Sequence, residues 1–563
     1  MPRTPLMRTL KRAANDHALA KREGIDYDAV LELREQQWEA ALDRRNFLRR
    51  AGVVGAGLAI GGATFAGPAF AKSGDDGPAS AAAARGRRQP RIVIVGAGIA
   101  GLTAALSLKD AGVNATVYEA SDRIGGRMHS DTSGYWSNGQ VSEWGGELID
   151  TDHDMIQALA ARFGFALDDL PGAEPRRSTD TYYFNGRYYS VDKAARDFGP
   201  VQVALDADNA AADYPTTYNQ STPAGVALDN MSVYDWIESR VPGGHHSPLG
   251  QLLDVGYAEE YGADTRDQSA LNIVYLLGTQ DNPNLISMFG ASDERFHVRG
   301  GNDQIPLAIA DTLGDERVIT GYKLTRIASN RDGTQTLTFD TGHGRPQTIT
   351  ADHTIVTIPF PALKNVDTSA AGFDPLKQQA ITTLGAGRSA KLQLQFAARY
   401  WNFPGRWGQS STGSSFSDTG AMNTWEATRG QQGATGILNN FTGGSIAAAF
   451  TPSTAYSHAD NPQVTGYAQQ FLRQIENVYP GISRFWTGKA SLSVPPLDPN
   501  LGLSYSYWRV GQYHTISGYE GVRQGNIHFA GEHCSQDYQG YMEGGAEEGD
   551  RAASEILTDL GLA

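Results

Sequence analysis

The sequence feature that most constrains the fold is a glycine-rich turn between a strand pattern and a helix pattern. Residues 91–95, Arg-Ile-Val-Ile-Val, form a short β-branched apolar run, which is typical of a buried parallel strand. The turn Gly-Ala-Gly-Ile-Ala-Gly follows over residues 96–101, and a helix is predicted over 102–111. A second strand pattern, 115–118, ends at Glu119. This order predicts a βαβ unit that binds a dinucleotide.

Each part of this unit has a physical task. Gly96 permits the tight turn, Gly98 lets a pyrophosphate approach the backbone, and Gly101 lets helix and strand pack closely. The free N–H groups at the start of the helix, at the positive end of its dipole, are expected to hold the phosphates. Glu119 is expected to accept hydrogen bonds from the ribose hydroxyls.

Composition narrows the chemistry further. The 563 residues exceed one ordinary domain, and the hydrophobic share of 40% is enough for a sizeable core. The net charge of −15 argues against nucleic acid or an anionic membrane as the main partner, since either calls for a basic face. Cys534 is the only cysteine and no histidines stand at ligand spacing, so no metal site is predicted. The chemistry must come from an organic cofactor or from side chains alone.

The first ninety residues form a separate region. Residues 1–43 are predicted to be a helical extension, and residues 44–71 match a twin-arginine signal, with an arginine pair, an apolar run and a small-residue cleavage site in that order. Residues 72–89 have the composition of a linker. Export to the periplasm or the exterior is therefore expected, and an ordinary amphipathic helix is the alternative. The Gly/Ala-rich run is too weak an anchor for stable membrane insertion.

Five short motifs occur in order along the rest of the chain. They are Arg123-Ile-Gly125-Gly126-Arg127, Glu143-Trp-Gly-Gly-Glu-Leu148, Phe296-His-Val-Arg-Gly-Gly301, Ile527-His-Phe-Ala-Gly-Glu532 and Gly540-Tyr-Met-Glu-Gly544. Together they resemble the flavin-containing amine oxidase family (monoamine oxidase-like), with most similarity to bacterial L-amino-acid oxidases. The resemblance spans roughly residues 90–560 and implies FAD as cofactor.

The resemblance also implies which residues contact FAD. Arg127 would contact the pyrophosphate, and the segment at 143–148 would run beneath the isoalloxazine ring. Glu532 would bind the ribityl chain, and the helix after Gly540 would point its N-terminus at the ring edge where reduction places negative charge. The predicted set is Gly96, Gly98, Gly101, Glu119, Ala120, Gly125, Gly126, Arg127, Gly145, Gly146, Glu147, Leu148, Leu324, Gly531, Glu532, Gly540, Tyr541 and Met542.

Three residues are predicted to act at the flavin. Lys391 matches a family lysine that reaches flavin N5 through a water, and Tyr541 matches an aromatic that stands nearly perpendicular to the ring. Trp508 is predicted as a further aromatic beside the flavin, although core packing is an equal alternative. Tyr513 or a neighbour stands where some members attach flavin to cysteine, so noncovalent FAD is expected. Cys534 is predicted to be a small core residue.

The implied fold class is α/β, with a discontinuous Rossmann-type FAD-binding domain and a substrate domain of antiparallel sheet and helices. The FAD-binding domain is predicted from residues 90–150, 291–330 and 501–563. The substrate domain is predicted from a helical segment, 151–290, and a second segment, 331–500. Substrate is expected between the two domains, and the family suggests a homodimer.

The implied reaction is oxidative deamination of L-amino acids with O2, giving a 2-oxo acid, ammonia and hydrogen peroxide. Such a substrate calls for an arginine that binds its carboxylate. Venom-type oxidases place one just after the Gly145-Gly146 position, where this chain has Glu147-Leu148. Arg299, Arg388 and Arg509 are candidates instead. The alternative is a monoamine or polyamine oxidase, since an acidic Glu147 suits a cationic amine. A dehydrogenase that avoids oxygen and a non-catalytic flavoprotein also stay open.

Overall fold

The computed structural model describes residues 90–278 and 292–562. The predicted helical extension, export signal and linker lie outside these residues. The strands of the described ranges are β1 (Ile92–Val95), β2 (Ala115–Tyr118), β3 (Ser130–Asp131), β4 (Ser142–Glu143), β5 (Leu167–Asp169), β6 (Thr179–Phe184), β7 (Arg187–Tyr189), β8 (Phe296–Val298), β9 (Val318–Ile319), β10 (Lys323–Ser329), β11 (Gln335–Asp340), β12 (Gln347–Ala351), β13 (His353–Val356), β14 (Asp367–Ala370), β15 (Gly385–Ala386), β16 (Ser389–Phe396), β17 (Ser411–Ser417), β18 (Asn423–Glu426), β19 (Gly436–Gly443), β20 (Tyr456–His458), β21 (Trp486–Ser493), β22 (Ser506–Tyr507) and β23 (Ile527–Phe529).

Helices connect and cover these strands. In the same ranges the α-helices are α1 (Ile99–Asp110), α2 (Asp154–Arg162), α3 (Val191–Ala212), α4 (Pro223–Asp229), α5 (Val233–Arg240), α6 (Pro248–Tyr261), α7 (Ala270–Leu277), α8 (Gln304–Leu313), α9 (Phe360–Leu363), α10 (Pro375–Thr383), α11 (Gly444–Ala448), α12 (Pro462–Ile475), α13 (Tyr513–Ile516) and α14 (Met542–Leu560). Of the helices in the described part of the chain, none is long and apolar enough to cross a membrane.

A parallel five-stranded sheet, in the order β23-β13-β1-β2-β9, forms the centre of the predicted FAD-binding domain. The central strand β1 pairs in parallel with β13 on one side and β2 on the other. Its four residues are all buried, which explains the unbroken apolar run in the sequence. Helices α1 and α14 pack together and share one hydrophobic cluster with β1. The predicted βαβ unit is thus present as β1-α1-β2.

Strand β13 joins this parallel sheet, although it lies in the 331–500 segment that the sequence assigns to the substrate domain. It pairs with β1 and with β23, so it occupies an interior position. All four of its residues are buried, as an interior parallel strand requires. The sequence predicts a buried apolar strand over His353 to Ile358, bordering the cofactor domain. Its interior position in the sheet depends on strand partners far along the chain.

The second large sheet has eight strands in the order β20-β21-β16-β19-β18-β17-β6-β7. Its neighbouring strands are antiparallel, except for the parallel pair β17 and β6. Strands β6 and β7 come from the segment predicted as helical, whose helices α3 to α7 share the largest hydrophobic cluster. A parallel sheet with helices beside a mostly antiparallel sheet confirms the predicted α/β class.

A third, smaller sheet of the described chain has four strands in the order β12-β11-β10-β14. The sequence predicts one strand from Val318 to Ile327, whereas the structure divides this stretch between β9 and β10. The division falls at Gly321, whose backbone has φ of 74° and turns the chain from one sheet to the other.

Candidate active site

One cavity collects nearly all of the predicted cofactor residues. Every member of the predicted set except Gly101 lines it, including Leu324 from β10 and Met542 at the start of α14. The lining comes from the turns after β1, β2, β13 and β23, which places the cavity at the carboxyl ends of the parallel strands. Open α/β sheets bind ligands at this edge.

The glycine turn after β1 fits a dinucleotide. A Cβ added at Gly101 would lie 2.0 Å from the carbonyl oxygen of Gly96, so this residue serves helix packing rather than the cavity surface. A Cβ at Gly98 would meet no atom within 4 Å and would occupy the cavity itself. No side chain caps α1, and Gly98, Ile99 and Ala100 line the cavity, so the helix N-terminus is available to an anion.

Glu119 lies at the end of β2 with its carboxylate held by the neighbouring turns. Its Oε2 accepts a hydrogen bond of 2.8 Å from the Ala97 amide, and its Oε1 accepts bonds of 2.8 Å from both the amide and the hydroxyl of Ser121. These bonds fix the carboxylate at the cavity wall, where the sequence predicts a ribose contact.

Arg127 and Glu532 connect distant parts of the chain across the cavity. The Nη1 of Arg127 donates to Oε1 of Glu532 at 2.7 Å and to the Ser504 carbonyl at 3.1 Å. The Oε2 of Glu532 accepts a bond of 2.8 Å from the Gly540 amide, just before α14. The first and fifth of the five sequence motifs therefore meet through the fourth.

The segment at Gly145 and Gly146 has no room for larger residues. A Cβ at Gly145 would lie 1.9 Å from the Arg127 carbonyl oxygen, and one at Gly146 would lie 2.8 Å from the sulfur of Met542. Both glycines line the cavity. A flat cofactor running along this segment, as the resemblance implies, would meet backbone rather than side chains.

Lys391 lies in the cavity wall and forms a buried ion pair with Glu147. Strand β16 carries it between β19 and β21, and only 6% of the lysine is exposed. Its Nζ donates to Oε2 of Glu147 at 2.8 Å and to the Gly145 carbonyl at 2.8 Å. Two residues that the sequence assigned separately to catalysis and to cofactor binding are therefore direct partners.

Further donors hold the Glu147 carboxylate. Trp425 Nε1 donates to its Oε1 at 2.9 Å, and Asn439 Nδ2 lies 3.1 Å from Oε2. Burial alone raises the pKa of Glu147, but the charge and hydrogen bond of Lys391, with the bond from Trp425, outweigh burial and leave that pKa below its usual value. Glu147 is therefore ionised at neutral pH.

Aromatic side chains form the wall around this ion pair. Trp425 and Phe441, on the adjacent strands β18 and β19, have ring centroids 5.4 Å apart, and both line the cavity. Tyr541 lines it from the N-cap position of α14, and Tyr505 from the stretch before β22. The sequence predicted Tyr541 but not the other three, which carry no local motif.

Carboxylates surround the phenol of Tyr541. Burial raises the pKa of Tyr541 well above its ordinary value, and the charges of Glu260, Asp150 and Glu294 raise it further. The same neighbourhood, after burial, raises the pKa of Glu294. Acidic side chains therefore lie near Tyr541, although none of these three lines the cavity.

None of the three arginines proposed as a carboxylate anchor lines the cavity. Arg299 is exposed and pairs with Asp168 at 2.7 Å, and Arg388 and Arg509 are exposed elsewhere. In the described ranges the basic side chains of the lining are Arg123, Arg127, Lys323 and Lys391. Lys391 alone of these four contacts the aromatic wall, where its Nζ lies 5.6 Å from the centre of the Trp425 ring.

Trp508 does not belong to the cavity. It is 1% exposed and lies in the hydrophobic core, with its ring 5.2 Å from that of Tyr513. The chain turns inward after β22, so the Trp508 carbonyl accepts a bond of 3.0 Å from Asn272. Tyr505, three residues earlier, lines the cavity in its place. Cys534 is also buried outside the lining, and burial raises the pKa of its thiol.

Comparison with known proteins decides the family. The sequence profile of the family described as flavin containing amine oxidoreductase matches residues 99–557. The chain belongs to this family. FAD as the flavin agrees with the glycine turn, the uncapped helix and the Gly145–Gly146 segment of the cavity.

Individual members are distant. L-amino acid oxidase Bs29 of Bothriechis schlegelii is 23% identical over 334 residues, 57% of this chain and 63% of that protein. L-amino acid dehydrogenase of Synechocystis sp. is 24% identical over 328 residues, 56% of this chain and 65% of that protein. The match thus spans less than two thirds of each relative. Cyclohexylamine oxidase from Brevibacterium oxydans IH-35A superposes with a TM-score of 0.70 at 22% identity, covering 84% of this chain and 100% of that one, and confirms the fold.

Proposed function

We propose that this family member is an oxidase that uses noncovalent FAD and O2 to oxidise amines that carry no carboxylate on the reacting carbon. The observation that carries the proposal is the buried pair Lys391–Glu147 beside the aromatic wall; among the described residues, the arginines of the cavity are Arg123 and Arg127, in the predicted FAD-binding motif. Residues 279–291, outside the described ranges, contain no lysine, arginine or histidine that could bind a carboxylate.

The chain's own residues would bind and orient the substrate. Trp425, Phe441, Tyr505 and Tyr541 offer apolar surface that excludes water and favours an amine held by its carbon skeleton. These residues would hold the amine against FAD, which would supply the redox chemistry: uptake of a hydride equivalent, with O2 as the final acceptor and hydrogen peroxide as product. Placing the amine correctly against the cofactor is the main task of the protein.

Lys391 and the start of α14 supply positive potential at the cavity. Lys391 Nζ is held by Gly145 and Glu147, so it is positioned without reorganisation to orient a water or a polar substrate group. Helix α14 begins at Met542 in the lining with no side-chain cap, and its dipole favours negative charge there. Noncovalent attachment is supported by the position of Cys534 outside the lining.

Oxidative deamination of L-amino acids is the second candidate. The sequence match to L-amino acid oxidase Bs29 favours it. A carboxylate would then have to be bound by Lys391 at the expense of Glu147, or by backbone amides. The match to an L-amino acid dehydrogenase raises the separate possibility of an electron acceptor other than O2.

Peroxide release from the purified yellow protein separates these candidates. Tyramine, putrescine, L-phenylalanine and L-glutamine would each be supplied in air. Peroxide with tyramine or putrescine alone supports the proposal, and peroxide with the amino acids alone rejects it in favour of the second candidate. Bleaching of the flavin by substrate without peroxide would identify a dehydrogenase.

We also propose that residues 44–71 direct export by the twin-arginine route. The order of arginine pair, apolar run and small-residue site supports this. Replacing Arg44 and Arg45 together with lysine should keep the folded flavoprotein in the cytoplasm of a bacterial host, whereas the wild type reaches the periplasm. Equal distribution of both proteins would reject the proposal.

A further inference from the structure

Two buried histidines meet on neighbouring strands at the edge of the parallel sheet opposite to the cavity. His353 begins β13, and His528 is the middle residue of β23. They are 8% and 0% exposed, and His353 Nδ1 lies 3.4 Å from His528 Nε2. Neither residue lines the cavity, which is reached only past the other end of β13, at Thr357.

A carboxylate from the end of α14 faces the same point. Asp559 Oδ2 lies 3.9 Å from His353 Nδ1, and one donor atom from each of the three residues lies within 4.8 Å of the others. We propose that His353, His528 and Asp559 bind one divalent transition-metal ion of the Zn²⁺ class, with solvent at the fourth position. Two imidazoles and a carboxylate are a ligand set that suits zinc.

The separation between the two nitrogens fits a metal site as well as a long hydrogen bond. In a tetrahedral site with metal–nitrogen bonds of about 2.1 Å, two ligand nitrogens lie about 3.4 Å apart. The observed separation is 3.4 Å, which is longer than an ordinary hydrogen bond between nitrogen atoms. The imidazoles already have the spacing that a bound ion requires. Asp559 is exposed, so a small side-chain rotation brings its oxygen into range.

A second carboxylate sets the tautomer of His528. Its Nδ1 lies 2.6 Å from Oε2 of Glu555, one turn before Asp559 on α14. A carboxylate only accepts, so Nδ1 carries the proton and Nε2 presents its lone pair towards His353. A carboxylate–histidine contact of this kind commonly orients and strengthens a metal ligand.

The carboxylates of Asp559 and Glu555 each pair with an arginine, and these pairs leave the site accessible to an ion. Arg523 pairs with Asp559 at 2.6 Å, and Arg551 pairs with Glu555. The Arg523 side chain is 42% exposed, so its pairing is worth little and can yield to an ion. A bound ion would tie the end of α14, whose first residues line the cavity, to two strands of the sheet.

The sequence predicts no metal site because its histidines show no ligand spacing over short stretches. His353 and His528 are 175 residues apart and meet only because β13 and β23 are neighbours. The proposed metal site contains no cavity residue, so it does not depend on the identity of the substrate.

Metal retention by the tag-free holoenzyme tests the proposal. The protein would be stripped with chelator, dialysed against Zn²⁺ and then against buffer, and its metal content measured. The wild type should keep one Zn²⁺ per chain, and Asp559→Asn should bind it at least about tenfold more weakly. Because Asp559 is exposed, this variant should fold; His353→Gln with Asp559→Asn should keep none.

Asp110→Asn is the matched control. Asp110 is also an exposed helical aspartate paired with an arginine, Arg162, at 2.5 Å, but its charged neighbours in the described part of the chain are Arg162 and Lys109, not a histidine. This variant should retain Zn²⁺ like the wild type, and Zn²⁺ should raise the melting temperature of both but not of Asp559→Asn. Zinc retained equally by all variants, or by none, would overturn the proposal. With Co²⁺ as a probe, a tetrahedral visible spectrum in the wild type alone would support it.

Discussion

Replacing Glu147 with glutamine tests whether the ion pair with Lys391 stabilises the protein. Glutamine keeps the shape and can still accept the bonds from Trp425 and Lys391, but the charge is lost. At the observed 2.8 Å the Coulomb attraction is roughly 6 kcal/mol for an effective dielectric of about 20, and desolvation of both ions offsets part of it. Breaking one side of a buried pair leaves an uncompensated charge and costs about 3 kcal/mol or more.

A double-mutant cycle isolates this interaction. Glu147→Gln and Lys391→Met should each lower the unfolding free energy of the holoenzyme by about 3 kcal/mol, measured by denaturant titration at pH 7. The double variant should lose about as much as either single variant, which gives a coupling near 3 kcal/mol. Losses that add to within about 0.5 kcal/mol would refute the reasoning.

The exposed pair Lys193–Asp197 is the control for this cycle. Its side chains are 54% and 35% exposed, so the corresponding replacements Lys193→Met and Asp197→Asn should show a coupling below about 0.5 kcal/mol. The pH dependence of the unfolding free energy is an independent test of this stabilisation. Because the pKa of Glu147 is lowered in the folded protein, its stabilisation should be complete above the ordinary carboxyl pKa and lost as pH falls through the folded value. The difference between wild type and Glu147→Gln should therefore vanish only in acid.

Further predictions concern activity and cofactor binding. Lys391→Met should lower kcat/KM for the best amine by about 100-fold or more while FAD stays bound; a change below about threefold in peroxide assays would contradict the assigned role. Arg127→Gln should weaken FAD binding about tenfold or more, measured by fluorescence of released flavin, because Glu532 loses its partner; unchanged affinity would count against it. Trp508→Phe should lower the melting temperature but leave KM unchanged, whereas Tyr505→Leu should raise KM. The reverse pattern would show that Trp508, and not Tyr505, belongs to the aromatic wall.

The parts of the site that follow from local chemistry were predictable from sequence. The turn at residues 96–101 needs glycine at positions fixed by a strand and a helix on either side. Its spacing, together with the second strand and Glu119, indicated a dinucleotide site. Gly101 illustrates this, since the atoms that a Cβ there would meet belong to Gly96 and Ile94, five and seven residues earlier. The order of elements predicted the βαβ unit, and the resemblance to the family implied the α/β class.

The pairings across the cavity could not be predicted in the same way. Glu147 and Lys391 are 244 residues apart, and no local pattern indicates that one neutralises the other. Trp425 and Phe441 enter the wall only because β18 and β19 are adjacent. The stretch from Tyr505 to Trp508 contains several aromatic residues, and no local pattern indicates which of them faces the cavity. The structure places Trp508 in the core, where its carbonyl accepts a bond from Asn272. Nothing in the sequence indicated that the three candidate arginines lie outside the cavity lining.

Anaerobic mixing of the yellow holoenzyme with amine tests the central claim most directly. Tyramine or putrescine should bleach the visible flavin absorbance in a single turnover, and admission of O2 should restore it with one equivalent of hydrogen peroxide per flavin. The Lys391→Met protein should bleach much more slowly under the same conditions. A chain that stays colourless when supplied with FAD, or a flavin that no amine or amino acid bleaches, would contradict the account.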